Sequence, residues 1–133
     1  MIVVDTSIWI GLLNDDRSPK VERCAALIRD RAPVAMTDIV FTEILQGLRS
    51  DREASKVERY LRAFPILRLE GLEDFARAAE LYRTARHAGI TIRKTLDCLI
   101  AAPCIRADAP LLHDDDDFDR LASCTPLEIF SVV

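Results

Sequence analysis

Carboxylates stand beside apolar segments at widely separated places in this chain. Asp5 directly follows the apolar residues 2–4, and Asp97 is the only polar side chain in residues 96–102. A run of four aspartates begins at Asp114, shortly after another apolar segment. A carboxylate beside the core is poorly solvated, so its charge costs free energy unless a partner compensates it. One divalent cation could compensate several of them together, because hard cations take carboxylate oxygens as ligands.

A further candidate, Glu43, lies in residues 39–48, whose apolar side chains recur with helical spacing. It falls on the flank of that apolar stripe, where a solvated glutamate is the ordinary interpretation. Asp5 could equally cap a turn, Asp97 could complement a helix dipole by about 0.3–1 kcal/mol, and the aspartate run could be a solvated turn. The metal-site hypothesis therefore depends on the convergence of these acids, and not on any one of them.

Other familiar sites do not match the sequence. Counted from Asp115, an EF-hand loop would need glycine at position 6 and glutamate at position 12, where the chain has Arg120 and Pro126. The sequence contains no Walker A motif and no Gly-x-Ser-x-Gly elbow. His87 and His113 offer too little for a histidine-based acid–base pair, and we expect them to be surface or packed side chains.

Strands and helices are predicted to alternate along the chain. The pattern predicts strands at residues 2–4, 34–36, 66–69, 111–112 and 127–130. It predicts helices at residues 7–13, 21–30, 39–48, 53–64, 73–87 and from Leu96 onward. This alternation is typical of an α/β fold, and we expect a three-layer α/β/α sandwich around a mostly parallel sheet. Sites in such folds form beyond the carboxyl ends of strands, where Asp5 and the aspartate run both fall.

Polar residues mark the starts of three of these helices. The N-cap candidates are Thr6 or Ser7, Thr37 or Asp38, and Thr95. The helix that begins at Leu96 contains Pro103, and we expect this residue to kink or shift the helix because it lacks an N–H donor.

The bulk composition fits one domain, expected over residues 1–133. Half of the 133 residues are hydrophobic, which is enough for a single core and argues against disorder. No apolar run is long enough to span a bilayer, and the first residues lack a basic signal-peptide start, so we expect a cytoplasmic protein. The cysteines lack metal-ligand spacing and are expected to be buried, reduced thiols: Cys24, Cys98, Cys104 and Cys124.

The formal charge of −4 does not favour a polyanionic partner. Five acids form the candidate cluster, namely Asp5, Glu43, Asp97, Asp115 and Asp117. Without these five carboxylates the formal charge becomes +1. The acidic total is therefore compatible with a metal-dependent enzyme that acts on phosphates, and equally with an ordinary soluble protein.

Several stretches of the chain match one known family in order and spacing. They are Asp5-Thr6-Ser7 after a strand, Glu43 in a helix, residues 93–101 (Arg-Lys-Thr-Leu-Asp-Cys-Leu-Ile-Ala), and Leu111-Leu112-His113 followed by Asp115, Asp117 and Phe118. Together they resemble the PIN-domain ribonucleases, specifically the toxins of VapBC-type toxin–antitoxin pairs, over essentially the whole chain. The resemblance implies a three-layer α/β/α fold, an Mg²⁺- or Mn²⁺-dependent endoribonuclease, a homodimer and a cognate VapB-type antitoxin.

The resemblance also implies a role for each matching residue. The catalytic acids would be Asp5, Glu43, Asp97 and Asp115. The metal ligands would be Asp5, Asp97 and Asp115. The supporting residues would be Asp117, Thr6 and Ser7. Within the aspartate run, Asp114 and Asp116 stay open as alternatives to Asp115.

Two basic regions could contact a polyanionic substrate. Arg93 and Lys94 precede Asp97 by four and three residues and are the predicted substrate-binding residues. The helix predicted at residues 53–64 has a second basic face, formed by Arg52, Lys56, Arg59 and Arg62. A solvated surface is the ordinary interpretation of that face, and phosphate binding is the alternative.

Two other classes of protein are alternatives to the nuclease. In a non-catalytic interaction module, the helices at residues 53–64 and 73–87 would form a partner surface and the acids would only add solubility. A phosphoacceptor receiver domain fits the length, but the chain lacks paired acids after its first strand. The sequence does not identify the RNA, because selection depends on the shape of the RNA loops and of the groove that receives them.

Overall fold

The computed structural model describes residues 1–132, so the last residue of the domain expected over 1–133 lies outside the described part. The strands are β1 (Ile2–Val4), β2 (Val34–Thr37), β3 (Ile66–Leu67) and β4 (Leu111–Leu112). The helices are α1 (Thr6–Leu13), α2 (Pro19–Arg29), α3 (Asp38–Gln46), α4 (Asp51–Leu61), α5 (Gly71–His87), α6 (Thr95–Arg106) and α7 (Asp116–Cys124). No helix among residues 1–132 is long and apolar enough to cross a membrane.

The four strands form one parallel sheet in the order β3-β2-β1-β4. Ile2 pairs with Val34 on one side of β1, and Val4 pairs with Leu112 on the other. The central strand is covered on both faces, which is why Val3 and Val4 are fully buried. The parallel sheet flanked by helices confirms the predicted α/β class.

Trp9 fixes α1 against the central strand. Its side chain is fully buried, and its indole N–H donates to the Val4 carbonyl at 2.9 Å. Its ring also meets Phe64 edge-on at 5.0 Å between centroids, a favoured aromatic geometry. Because Asp5 lies between β1 and α1, these contacts also fix the backbone that carries its carboxylate.

The predicted N-caps had mixed outcomes. Thr37 is confirmed, since its hydroxyl accepts from the Val40 N–H at 3.1 Å. The prediction for α1 was wrong: Asp5 occupies the N-cap position, and Thr6 and Ser7 belong to the first turn. The prediction for α6 was also wrong, because Lys94 is the N-cap residue and no side chain caps this helix. Both of these helix starts lie at the acidic pocket described below. At α1, the hydroxyls of Thr6 and Ser7 donate to the carboxylates of Glu43 and Asp5 and do not cap the helix.

The second half of the chain departs most from the sequence prediction. The aspartate run opens a helix, α7, in which Phe118 and Leu121 are buried. Asp115 caps α7 by accepting from the Asp117 N–H at 3.0 Å. The predicted strand at 127–130 reduces to a single parallel bridge between Leu111 and Ile129. The helix α6 continues through Pro103 to Arg106, so the proline does not end it.

The cysteines and histidines are placed largely as expected. All four cysteines are free thiols; three are buried, while Cys124 is only half-buried, contrary to the prediction. His113 is buried and His87 is exposed on the last turn of α5.

Candidate active site

Acids from four elements meet in one pocket at the carboxyl edge of the sheet. Asp5 follows β1 and Asp115 follows the adjacent strand β4, and the pairing of Val4 with Leu112 brings these strand ends side by side. Glu43 comes from α3 and Asp97 from the first turn of α6. The pocket has a volume of about 220 Å³ and is lined by Asp5, Thr6, Ser7, Ile10, Glu43, Lys94, Asp97, Asp114 and Asp115. The four predicted catalytic acids therefore lie together.

Hydroxyl groups next to Asp5 orient two of these carboxylates. The Thr6 hydroxyl donates to Glu43 Oε1 at 2.6 Å, a short contact between residues 37 positions apart. The Ser7 hydroxyl lies 3.5 Å from Asp5 Oδ2, at the long limit for a hydrogen bond. Thr6 is therefore the stronger positioning contact in the pocket.

For Asp5 and Asp97, the cost of burying a charge outweighs the contacts that stabilise it. They are 6% and 5% exposed. Burial raises the pKa of Asp97 to about 7, and the charges of Asp115 and Asp5 add to the rise. Burial likewise raises the pKa of Asp5 to about 6, with further contributions from Glu43 and Asp115. Within residues 1–132, Asp97 Oδ2 is the one buried side-chain N or O atom without a hydrogen-bond partner.

This pocket fits a hard divalent cation, although its ligands are not already gathered around one point. Among residues 1–132, no three His, Cys, Asp or Glu side chains form an assembled metal cluster. The unpartnered Asp97 oxygen and an all-oxygen set of acids suit Mg²⁺ or Mn²⁺ better than zinc, because no thiol or imidazole lines the described pocket.

Asp117 differs from the pocket acids because arginines compensate it. It is 1% exposed and accepts from Arg93 Nε at 3.1 Å, from the Arg93 backbone N–H at 3.3 Å and from Arg120 at 2.6 Å. Burial alone would raise its pKa, but the hydrogen bonds from Arg93 and Arg120 lower the pKa below the usual value. Asp117 therefore ties the residues before α6 to the start of α7.

The same contacts show that Arg93, predicted as a substrate-binding residue, is held by acids of the protein itself. Its guanidinium bonds Asp117 and lies 3.5 Å from Asp115 Oδ1, while its side chain stays 68% exposed. The structure thus places Arg93 at the rim of the acidic pocket, held by two acids, whereas Lys94 lines the pocket itself.

The three neighbours in the aspartate run occupy different surroundings. Asp114 is exposed and pairs with Lys20 at 3.2 Å, although it also lines the pocket. Asp116 is exposed in the first turn of α7. Asp115 is half-buried, lines the pocket and accepts the capping N–H.

Two residues that were not predicted to belong to the site help to fix Asp115 and Asp117. His113 Nδ1 accepts from the Asp115 N–H at 3.0 Å, and its Nε2 lies 3.1 Å from Asp119 Oδ1. Arg120 bonds Asp117 three residues before it, a spacing typical of one turn of helix. If the sequence pattern had predicted a helix at α7, the i,i+3 spacing would have indicated that Arg120 pairs with Asp117.

The comparisons with known proteins agree with this fold. Residues 2–123 match the family described as PIN domain. Ribonuclease VapC11 of Mycobacterium tuberculosis is 39% identical over 132 residues, which cover 98% of each chain. Ribonuclease VapC17 of the same species is 34% identical over 99 residues, or 73% of this chain and 74% of that one. The chain therefore belongs to the PIN-domain family and, within it, to the VapC ribonucleases.

Solved structures show the same fold at lower identity. VapBC2 from Rickettsia felis, bound to a DNA fragment from its promoter, gives a TM-score of 0.73 at 20% identity and covers 98% of both chains. FitAcB from Neisseria gonorrhoeae gives a TM-score of 0.75 at 19% identity, covering 99% of this chain and 98% of that one.

Proposed function

We propose that this protein is a metal-dependent endoribonuclease that hydrolyses phosphodiester bonds in RNA and acts as the toxin of a toxin–antitoxin pair. The observation that carries the proposal is the pocket in which Asp5, Glu43, Asp97 and Asp115 meet. Its relatives over 98% of the chain are ribonucleases by name, which supports the reaction.

The cofactor we propose is Mg²⁺ or Mn²⁺, with Asp5, Asp97 and Asp115 as its ligands. A bound divalent ion would supply an activated water and neutralise the charge that builds on the phosphate oxygens. The raised pKa values of Asp5 and Asp97 support this role, since strongly perturbed carboxyl groups in a cleft are typical of functional sites.

The remaining residues of the site act on the RNA and on the acids. Thr6 keeps the Glu43 carboxylate in one orientation through its 2.6 Å hydrogen bond. Lys94, in the pocket wall, would attract the scissile phosphate, and Arg93 would contact a neighbouring phosphate at the rim. As membership of the PIN-domain ribonucleases implies, we propose in-line attack by water, leaving 5′-phosphate and 3′-hydroxyl ends. Products with 2′,3′-cyclic phosphate ends would contradict this mechanism.

An apolar groove beside the acidic pocket is the proposed position of a VapB-type antitoxin. It lies between α1, α3 and α4, has a volume of about 440 Å³, and its apolar walls are Ile10, Leu13, Ile44, Leu48 and Val57. Ile10 also lines the acidic pocket, so an occupant of the groove would reach the acids and block them. Structural neighbours that are toxin–antitoxin complexes support this partner. We expect Leu48→Glu to retain RNA cleavage while losing inhibition by the co-expressed antitoxin; retained inhibition would exclude the groove.

Cleavage of total RNA by the purified protein tests the function directly. The assay compares Mg²⁺, Mn²⁺ and EDTA, and the wild-type chain with Asp97→Asn. Discrete products that require the metal and Asp97 are expected. Absence of cleavage, together with absence of divalent-metal binding in calorimetry, would favour the non-catalytic interaction module. The homodimer, the single domain over residues 1–133 and the cytoplasmic location stay predictions, of which sedimentation tests the first.

A further inference from the structure

The outer surface of α4 carries three cations on one face. Arg52, Lys56 and Arg59 are spaced at i, i+4 and i+7, and with Ser55 they surround a shallow depression of about 440 Å³. All four of these residues are exposed. We refer to Arg52, Lys56 and Arg59 as the α4 basic face.

The acids of α4 do not neutralise this face. Glu58 pairs with Arg62 at 2.8 Å, and Glu53 lines the apolar groove on another side of the helix, while Asp51 is exposed at the first position of α4. Over residues 1–132, no carboxylate lies within ion-pair distance of Arg52, Lys56 or Arg59. Three like charges held close together without counterions favour binding of a polyanion, because binding removes their mutual repulsion.

The helix that carries the α4 basic face also borders, on another side, a groove that leads to the acidic pocket. Glu53 and Val57, on the same helix, line the apolar groove, and this groove shares Ile10 with the pocket. Tyr60 follows Lys56 by one helical turn and is 42% exposed. An exposed aromatic ring beside cations suits a nucleic-acid strand, whose bases stack on aromatic rings while its phosphates contact the cations.

We propose that the α4 basic face binds backbone phosphates of the RNA outside the acidic pocket, an inference that rests on the proposed ribonuclease function. Along the helix axis, Arg52 and Arg59 are about 10 Å apart, at 1.5 Å per residue. The three cations can therefore contact successive phosphates of one strand, while Ser55 adds a neutral donor.

The test measures RNA binding without cleavage. Both variants are built on Asp97→Asn, and the probe is a fluorescein-labelled poly(U) oligonucleotide, because phosphate contacts do not depend on sequence. The first variant is Arg52→Gln/Lys56→Gln/Arg59→Gln. The matched control is Arg29→Gln/Arg83→Gln/Arg86→Gln, which removes the same charge from exposed helical positions. Fluorescence anisotropy gives Kd over a range of KCl concentrations, and circular dichroism checks that both variants fold.

Loss of three phosphate contacts to a single strand should reduce the magnitude of the slope of the logarithm of the association constant against the logarithm of the KCl concentration by about 2. At low salt we expect Kd of the first variant to weaken on the order of tenfold, and that of the control by no more than about twofold. Equal losses in both variants would show an effect of net charge alone and overturn the proposal. Unchanged RNA binding with lost binding of poly-L-glutamate would assign the face to an acidic polypeptide and also overturn it.

Failure of this inference and failure of the proposed function give different results. If the wild-type chain cuts total RNA while the α4 variant binds poly(U) as tightly as its Asp97→Asn parent, only the basic face is excluded. If the wild-type chain neither cuts total RNA nor binds poly(U), the ribonuclease proposal fails and the basic face fails with it.

Discussion

Two pairs of buried aspartates in this protein have opposite surroundings. Asp5 and Asp97 are 6% and 5% exposed, while Asp74 and Asp117 are 2% and 1% exposed. Asp74 accepts from Arg106 Nε at 3.2 Å and Nη2 at 3.0 Å, and Asp117 accepts from two arginines. Asp5 and Asp97 have no arginine partner in the part of the chain that the structure describes. All four side chains are nearly excluded from solvent, but Asp5 and Asp97 lie deeper in the protein than Asp74 and Asp117, so depth of burial and the arginine partner both contribute to the difference.

The pKa values follow from this difference. Burial raises the pKa of Asp97 to about 7 and that of Asp5 to about 6. At Asp74 and Asp117 burial acts in the same direction and is the largest single effect, but the arginine hydrogen bonds, a backbone hydrogen bond and the arginine charges together outweigh it and lower the pKa. A buried acid with an arginine partner stabilises the fold, whereas a buried acid without one is available to bind a ligand.

The largest expected effect comes from Asp97→Asn. We expect cleavage of total RNA to fall by about 100-fold or more, because even residues that only orient metal ligands cost 10–100-fold when lost. The free energy of unfolding of the metal-free protein should stay the same or rise, since an uncompensated buried charge is removed. Asp116→Asn is the matched control, as Asp116 is exposed and lies outside the pocket lining. Equal loss of activity in both variants would contradict the assignment.

Asp74→Asn tests whether a buried aspartate with an arginine partner stabilises the fold. We expect it to lower the free energy of unfolding by about 2–3 kcal/mol, because Arg106 loses its buried carboxylate partner. Glu70→Gln removes an exposed partner of the same arginine and should cost less than about 1 kcal/mol. Urea denaturation measures both variants. Similar losses of unfolding free energy in the two variants would mean that burial of the Asp74–Arg106 ion pair contributes little to stability.

The dependence of stability on pH should differ between the two pairs. Asp5 and Asp97 bind protons more tightly in the folded state, so their contribution to stability is present at low pH. It is lost as the pH rises from the ordinary value of 3.8 through about 6 and about 7. Asp74 and Asp117 behave oppositely: their contribution is present above pH 3.8 and is lost below it.

Urea denaturation in EDTA measures this difference. Between about pH 5 and pH 7.5 the two pocket acids together should reduce the free energy of unfolding by about 4 kcal/mol, somewhat more than half of it from Asp97. His113, whose pKa is lowered mainly by burial, acts in the opposite direction as the pH changes. The comparison is therefore made between the wild-type chain and Asp97→Asn, in which His113 is unchanged. Parallel curves for the two proteins would mean that Asp97 does not titrate in this range.

The smallest effect is expected at Thr6, because its side chain orients the Glu43 carboxylate and is not itself one of the catalytic acids. Thr6→Val removes the hydroxyl that donates to Glu43, and we expect cleavage or metal affinity to fall about tenfold. Thr6→Ser keeps the hydroxyl and should stay within about threefold of the wild-type chain. If both substitutions behave alike, the hydrogen bond does not orient Glu43 for activity.

Much of the acidic pocket could be predicted from the sequence because its positions depend on local pattern. An apolar run followed by an acid predicted both β1 and Asp5, and the alternation of strands and helices placed Asp5 and the aspartate run at one edge of the sheet. Judged by local sequence pattern alone, Glu43 was the weakest of the four candidate acids. Its 2.6 Å contact with Thr6, 37 residues away, explains why a position on the flank of α3 lies at the pocket.

The sequence by itself determined the fold class and the order of the elements from β1 to β4, since short-range periodicity encodes both, but it did not predict the helix α7 that the aspartate run begins. Only the tertiary structure decided which buried acids have partners. Arg93 reaches Asp117 across 24 residues and Arg106 reaches Asp74 across 32, while Asp97 finds no such partner within residues 1–132. Pairing over such distances depends on how α5, α6 and α7 pack against one another, and that packing is a property of the whole core.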